Sequence, residues 1–192
     1  MENTLALLRE SGAMLEGHFL LSSGRHSSRY FQCAKLLARP RMAEAALAEV
    51  CEKIRRHPLA GEISAVIGPA MGGIIVAYEI GRQLGLPAIF AERGENGAMQ
   101  LRRGFEARPG QKFIIAEDVI TTGKSYGECA ALLESLGAEV AALACVVDRS
   151  SGHGVPWPFF PACKVEAEDW AAQDCALCKA GIPVVKPGSR KI

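Results

Sequence analysis

The segment KFIIAEDVITTGKS, residues 112–125, joins an apolar run to a glycine turn and the start of a helical pattern. The run KFIIAEDV is typical of a strand buried on both faces. A nucleotide-binding P-loop also ends in Gly-Lys-Ser, but it needs a glycine five residues before Gly123, where this chain has Asp118. The segment therefore predicts a strand, a phosphate-binding turn and a helix, with Glu117 and Asp118 placed just before the turn.

A sugar phosphate explains why acids stand beside a phosphate site. Backbone amides at a turn that leads into a helix favour an anion, and the hydroxyls of Thr121, Thr122 and Ser125 add donors. Carboxylates accept hydrogen bonds, and the diol of a ribose donates them. Glu117 and Asp118 are thus predicted to bind the ribose, while residues 121–125 bind its 5′-phosphate. The alternative is that both acids only stabilise the N-terminus of the next helix.

Outward from this segment, strands and helices alternate. The pattern predicts helices over residues 2 to about 11, over 40–56, in IIVAYEIGRQLG up to Gly85, and from a Ser125-x-x-Glu128 capping box to Gly137. It predicts strands in SAVIGPAMGG, LPAIFAER, KFIIAEDV and AEVAALACVVDR. Two strand–helix–strand units predict an α/β domain with a central parallel sheet flanked by helices. Ligands in such folds lie at the carboxyl ends of the strands, which singles out the loops 68–73 and 117–125.

Composition limits the function classes. The chain has 192 residues, 22% of them charged, and a net charge of +1, so no basic excess indicates a nucleic-acid partner. Its apolar runs are too short to span a bilayer, and MENTLALLRE lacks the features of a signal peptide. We expect a cytoplasmic protein without a membrane partner. With no linker or composition break, residues 1–192 are predicted to form one domain.

The cysteines do not indicate a disulfide framework, because their number, seven, is odd. The sequence CALC, Cys175 to Cys178, with Cys163 upstream, has the spacing of half a zinc site. No second ligand pair stands nearby, so structural or incidental thiols are favoured over a metal or redox site.

The motifs resemble those of type I phosphoribosyltransferases, which use phosphoribosyl pyrophosphate (PRPP). The acidic pair with VITTGKS resembles the PRPP motif, and IGPAMGGIIVAYEIGRQLG resembles the pyrophosphate-loop unit. FLLSSGRHSSRYF is similar to the orotate-binding segment of the orotate-using branch. The resemblance implies a small hood mainly from residues 1–35, and the proline-containing stretch 153–192 reads as an irregular C-terminal appendage.

The resemblance also implies an activity and its residues. The activity is transfer of ribose 5-phosphate from PRPP to orotate in pyrimidine synthesis, with Mg²⁺ carried in by PRPP and no direct protein ligand to the metal. The implied PRPP contacts are Ala70, Met71, Gly72, Gly73, Arg93, Glu117, Asp118, Val119, Ile120, Thr121, Thr122, Gly123, Lys124 and Ser125. The implied orotate contacts are Arg25, Tyr30, Phe31, Thr121 and Arg149.

A mobile loop from the neighbouring subunit completes the site in this family, which implies a homodimer with shared active sites. The stretch 93–104 contains no lysine or histidine, so Arg102 and Arg103, with Asp118, are the expected catalytic residues. Residues 94–104 have three glycines and no apolar rhythm, which predicts a mobile lid. Two alternatives stay open at this point: a purine-type phosphoribosyltransferase, and a PRPP-binding regulator on the same fold.

Overall fold

The computed structural model describes residues 2–21, 23–150, 154–166 and 168–187. The helices are α1 (Glu2–Glu10), α2 (Ala34–Leu37), α3 (Pro40–Arg56), α4 (Gly72–Leu84), α5 (Lys124–Ser135) and α6 (Ala176–Lys179), with 3-10 turns at Pro58–Glu62 and Ala172–Asp174. The strands are β1 (Met14–Leu20), β2 (His26–Phe31), β3 (Ile63–Pro69), β4 (Ala88–Arg93), β5 (Met99–Leu101), β6 (Lys112–Ile120), β7 (Glu139–Asp148), β8 (Phe159–Lys164) and β9 (Asp169–Trp170). Within these ranges no helix is long and apolar enough to cross a bilayer.

A six-stranded sheet forms the centre, in the order β5-β4-β3-β6-β7-β8. All neighbours pair in parallel except β5, which runs antiparallel to β4. Both faces of the sheet are covered, because successive residues of β6 enter different clusters. Ile114 and Ala116 join the core formed with α1 to α4, whereas Phe113 and Ile115 pack with α5. The predicted parallel sheet with flanking helices is confirmed.

Helix boundaries follow local chemistry. Helix α3 begins at Pro40, whose fixed φ suits a first helical position, and α4 ends before Gly85 in the left-handed conformation with φ 72°. The predicted capping box is wrong. Gly123, with φ 79°, occupies the N-cap of α5, so Ser125 lies inside the helix and caps nothing.

A second sheet forms the hood, in the antiparallel order β1-β2-β9. The first two strands come from the N-terminal segment, as expected, and β9 comes from the C-terminal stretch. That stretch also supplies β8 to the central sheet, so it is not irregular throughout. Pro161 argued against a strand in the sequence, because proline has no N–H to donate. However, β8 is an edge strand, where such a residue is tolerated.

The segment predicted as a lid contains regular structure. Strand β5 pairs with β4 in a hairpin, with Arg93 opposite Met99 and Ala91 opposite Leu101. The turn between them closes through a hydrogen bond from the Gly97 N–H to the Gly94 carbonyl, 2.9 Å. The expectation of an unpacked segment is therefore wrong for residues 99–101, and mobility of the hairpin stays a prediction.

Candidate active site

The phosphate loop lies where β6 meets α5, at the carboxyl edge of the sheet. A small cavity opens there, lined by Glu117, Val119, Ile120, Thr121, Thr122, Gly123, Lys124, Ser125 and Tyr126. Position 123 requires glycine, because its φ is 79° and a Cβ there would lie 2.6 Å from the Tyr126 hydroxyl. No side chain caps α5, so its first amides are free of side-chain acceptors, and the first-turn residues Lys124, Ser125 and Tyr126 line the cavity. The predicted phosphate-binding residues are thus brought together around one concave surface.

The two acids have different surroundings, because neighbouring residues of a strand face opposite sides of the sheet. Glu117 is 7% exposed and lines the phosphate cavity. Burial, and then the nearby Asp118 carboxylate, raise the pKa of Glu117 to about 8. Asp118 lies on the other side, where burial raises the pKa of its carboxyl and the Val119 N–H donates to its Oδ1 over 2.8 Å.

The loop after β3 packs directly against this second acid. A Cβ on Gly72 would lie 2.4 Å from the carboxyl carbon of Asp118, and one on Gly73 would lie 2.6 Å from the Ala116 carbonyl oxygen. The peptide bond between Ala70 and Met71 is cis, and the Ala70 N–H donates to the Ala91 carbonyl over 2.7 Å. The predicted pyrophosphate loop and the predicted ribose-binding acid therefore meet in one place.

Arg149 follows β7 and is tied to the phosphate loop by its backbone. Its N–H donates to the carbonyl of Ile120 over 2.8 Å. Its guanidinium donates from Nη2 to the Ser27 hydroxyl, 3.2 Å, and lies 5.5 Å from the centre of the Phe31 ring. Its buried Nε has no hydrogen-bond partner, and burial lowers the pKa of the group. A partly buried, incompletely bonded guanidinium is a ready site for a planar anion.

The hood brings some predicted orotate residues to Arg149. The centre of the Phe31 ring lies 5.5 Å from the Arg149 guanidinium, and burial, then the charge of Asp118, raise the pKa of Tyr30. Arg25 instead pairs with Asp169 of β9, 2.9 Å, and its contact with a base stays a prediction. Ser27 was missed by the sequence analysis: its hydroxyl accepts from Arg149 and donates to the Glu168 carbonyl over 3.1 Å.

The arginines of the β4–β5 hairpin lie against acidic residues of β4 and α5. Arg93 pairs with Glu128 of α5, next to the phosphate loop. Arg103 pairs with Glu92, 3.2 Å, and lies 5.7 Å from the centre of the Phe90 ring, while the Nε of Arg102 is 3.8 Å from the other oxygen of Glu92. Both catalytic candidates are more than half exposed. No contact in the described part of the chain joins them to Asp118.

Comparison with known proteins gives one family. Residues 34–176 match the model of the phosphoribosyl transferase domain. The chain is similar to the orotate phosphoribosyltransferase of Carboxydothermus hydrogenoformans, with 52% identity over 188 residues that cover 96% of both chains. Among solved structures it is similar to orotate phosphoribosyltransferase from Aeropyrum pernix, with a TM-score of 0.70, 28% identity, and coverage of 86% of this chain and 94% of that one.

The fold by itself does not select the base. Adenine phosphoribosyltransferase from Rhodothermus marinus matches with a TM-score of 0.62 and 18% identity, covering 86% of this chain and 100% of that one, and this likeness shows the fold alone. The high identity over nearly the full length of the Carboxydothermus relative is what separates the branches. The chain belongs to the phosphoribosyltransferase family, within its orotate phosphoribosyltransferase branch.

Proposed function

We propose that the protein transfers the 5-phosphoribosyl group of PRPP to N1 of orotate, giving orotidine 5′-monophosphate and pyrophosphate in pyrimidine synthesis. Membership of the orotate phosphoribosyltransferase branch supports this activity. The observation that carries it is the position of Arg149. A partly buried guanidinium with a buried, unpartnered Nε is tied to the phosphate loop and faces Ser27 and Phe31. It suits the carboxylate of orotate and offers no match to a neutral purine.

Each loop receives one part of PRPP in this proposal. The amides and hydroxyls of residues 121–125 bind the 5′-phosphate, and Glu117 and Asp118 flank the ribose from two sides of β6. The backbone of residues 70–73 binds the pyrophosphate. Because Gly72 lies against Asp118, the leaving group and the reacting sugar are held by adjacent parts of the protein.

The reaction needs little covalent help from the chain. The N1–C1 bond forms as the bond from C1 to the pyrophosphate oxygen breaks, and pyrophosphate leaves with that electron pair. Deprotonated orotate is already a nucleophile, so no general base is required. The barrier lies in the charge that develops on pyrophosphate, which positioned cations stabilise, and Arg102 and Arg103 are the proposed residues.

We propose that Mg²⁺ enters with PRPP and would be held through that substrate, beside Glu117, Asp118 and the backbone of residues 70–73. Bound there, the ion would neutralise charge on the leaving group. The donor set fits this arrangement, since the phosphate loop offers amides and hydroxyls, and its two acids point to different sides of β6. These acids would therefore hold the sugar and would not form a carboxylate cage for the ion.

A homodimer would complete the site. Met71, Ile75 and Tyr78 are 81%, 45% and 64% exposed and lie on one face of α4, next to the pyrophosphate loop. We propose that a second copy of the chain covers this face. Its hairpin would then bring Arg102 and Arg103 to the pyrophosphate of the first copy.

One assay tests the activity. Purified protein with PRPP and Mg²⁺ is offered orotate, uracil, hypoxanthine and adenine in turn, and pyrophosphate release is measured. We expect release with orotate only. Release with a purine base would place the chain among purine-type enzymes, and tight PRPP binding without turnover of any base would indicate a regulator.

A further inference from the structure

The hood and the C-terminal stretch bring four metal-binding side chains together. His18 on β1 and His26 on β2 face Cys175 and Cys178, the two cysteines of the CALC sequence. One ligand atom from each residue lies within 4.8 Å of all the others. The two histidines and Cys175 are buried, and Cys178 is exposed. In the described ranges this is the only such group of His, Cys, Asp and Glu side chains, and it includes neither Glu117 nor Asp118.

Three nitrogen–sulfur distances in the cluster match those around one tetrahedral ion. Zinc bonds of about 2.0–2.1 Å to nitrogen and about 2.3 Å to sulfur place tetrahedral nitrogen and sulfur ligands about 3.6 Å apart. Cys175 Sγ is 3.4 Å from His18 Nε2, and Cys178 Sγ is 3.7 Å from the same atom and 3.3 Å from His26 Nδ1. The two ring nitrogens are 2.8 Å apart, close enough to share a proton when no ion separates them.

An outer hydrogen bond prepares His18 for metal binding. Its Nδ1 is 2.7 Å from the carbonyl oxygen of Ile182, which can only accept, so this nitrogen holds the proton. In the neutral ring, Nε2 is then unprotonated and turns its lone pair toward the cluster. Metal-binding histidines usually donate their second ring N–H in this way, which fixes both the tautomer and the ring orientation.

We propose that the protein binds a structural Zn²⁺ ion through His18 Nε2, His26 Nδ1, Cys175 Sγ and Cys178 Sγ. Two thiolates and two imidazoles in tetrahedral spacing select zinc over magnesium or calcium, which prefer oxygen ligands. Four protein ligands leave no open position, so the ion is structural and takes no part in the transfer reaction. A metal site was not favoured from the sequence because no second ligand pair stands near the CxxC; in the fold that pair is His18 and His26 of the hood.

The ion would fasten the C-terminal stretch to the hood. Apart from the cluster, residues near Val185 contact β1 through two backbone hydrogen bonds: Leu20 N–H donates to the Val185 carbonyl and Val185 N–H to the His18 carbonyl. Strand β9, from the same stretch, pairs with β2 for only two residues. Such short pairings have little stability alone. Because β2 also holds Ser27 and Phe31, we expect metal loss to loosen the wall that faces Arg149.

Metal content and a spectroscopic probe test the proposal on the full chain. Protein purified without chelator from zinc-supplemented medium should contain about one zinc per chain by mass spectrometry of the elements. Replacing zinc by Co²⁺ should give the intense d–d bands of a tetrahedral ion and a thiolate-to-cobalt charge-transfer band. Zinc well below stoichiometry together with a cobalt spectrum lacking these bands would overturn the proposal.

Substitutions assign the ligands. Cys178→Ser changes the exposed member and should lower zinc content at least several-fold, lower Tm and remove part of the charge-transfer band. Cys51→Ala is the matched control: it changes a buried cysteine of α3 outside the cluster and should retain zinc and cobalt spectrum. Equal zinc in both variants and the wild type would contradict these ligands. A Cys175–Cys178 disulfide in the freshly purified wild type, two mass units lighter than the reduced chain, would instead indicate a redox pair.

Discussion

Glu117 and Asp118 are adjacent in sequence, yet they face opposite sides of β6 and have different surroundings. Glu117 lines the phosphate cavity, where burial raises its pKa from 4.5 to about 8. Between these pH values the folded chain binds more protons at Glu117 than the unfolded chain. The contribution of this carboxyl is therefore favourable below about pH 5 and is lost as pH rises through 8. Ionisation of this buried acid therefore lowers the stability of the free protein, and hydrogen bonds from a bound ligand would offset that loss.

Glu117→Gln should remove this pH dependence. We expect the free energy of unfolding of the variant, relative to wild type, to increase as pH rises from 5 to 9. One pKa unit corresponds to about 1.4 kcal/mol, so the difference should exceed that value. Urea unfolding of ligand-free protein across this pH range measures it. Glu95→Gln, at an exposed turn position, is the control and should follow the wild type. Parallel profiles for the Glu117 variant and wild type would refute the raised pKa.

Arg149→Ala should weaken orotate binding far more than PRPP binding. The substitution deletes a charge-assisted partner of the base, an effect of about 1.5–3 kcal/mol, whereas the PRPP loop keeps its own donors. Calorimetric titration with each substrate measures both dissociation constants. Arg149→Lys should rescue little, because an ammonium lacks the planar fork. Arg108→Ala changes an exposed arginine that pairs with Glu106 at the surface, and it is the control. Equal losses of affinity for both substrates would contradict the assignment of Arg149 to the orotate site.

At the scale of elements, the contact between the N-terminus of α4 and the end of β6 builds the site. Gly72→Ala should disturb it, because a Cβ there would lie 2.4 Å from the Asp118 carboxyl carbon. We expect kcat/KM for PRPP to fall at least about tenfold, which corresponds to about 1.4 kcal/mol of lost transition-state stabilisation. Steady-state kinetics at saturating orotate measures the change.

Gly127→Ala is the matched control for this substitution. Gly127 lies within α5, and a Cβ there would meet no atom within 4 Å. Alanine is favoured over glycine in a helix by about 0.5–1 kcal/mol, so Tm should rise slightly while kcat/KM is retained. If the two variants had the same kinetics, close packing against Asp118 would not matter for catalysis.

Elements with strong local patterns were predictable, and those defined by distant partners were not. The periodicity after Pro40 predicted α3 with its observed bounds, and the buried run KFIIAEDV, residues 112–119, predicted the strand that leads into the loop of the site. Strand β8 was missed because Pro161 argues against a strand unless the edge position is known. The histidine–cysteine cluster was missed for the same reason: only the folded hood reveals that His18 and His26 face the CxxC.

At the scale of the molecule, Arg102 and Arg103 make no hydrogen bond or ion pair with the PRPP loop of their own chain among the described residues; both lie against Glu92. Arg103 is bound to Glu92 and lies near Phe90 on the same hairpin. In the proposed dimer each hairpin serves the neighbouring site, so a single arrangement explains both the exposed arginines and the exposed apolar face of α4. In a two-fold dimer each surface patch is present twice, and each site takes its lid from one chain and its PRPP loop from the other.

Two inactive variants should therefore restore activity when they are mixed. Arg103→Ala removes a lid cation that acts on the leaving group, and Asp118→Asn removes a charged acceptor at the ribose, so each homodimer should lose turnover with its fold intact. After dissociation and reassembly at equal ratio, about half the dimers are mixed, and one of the two sites in each has both parts intact. Activity should recover to about a quarter of wild type.

Recovered activity locates the lid only if mixed dimers form. Native mass spectrometry of differently tagged chains measures their fraction, and circular dichroism checks that each variant is folded. A double variant, Arg103→Ala with Asp118→Asn on one chain, is mixed with wild type as the control. In the shared-site dimer each site of its mixed dimers is damaged once and both should be inactive, whereas a lid that serves its own chain would leave one of the two sites intact. Recovery that rises with the mixed fraction places the lid across the interface. No recovery among confirmed mixed dimers would mean that Arg103 serves the site of its own chain.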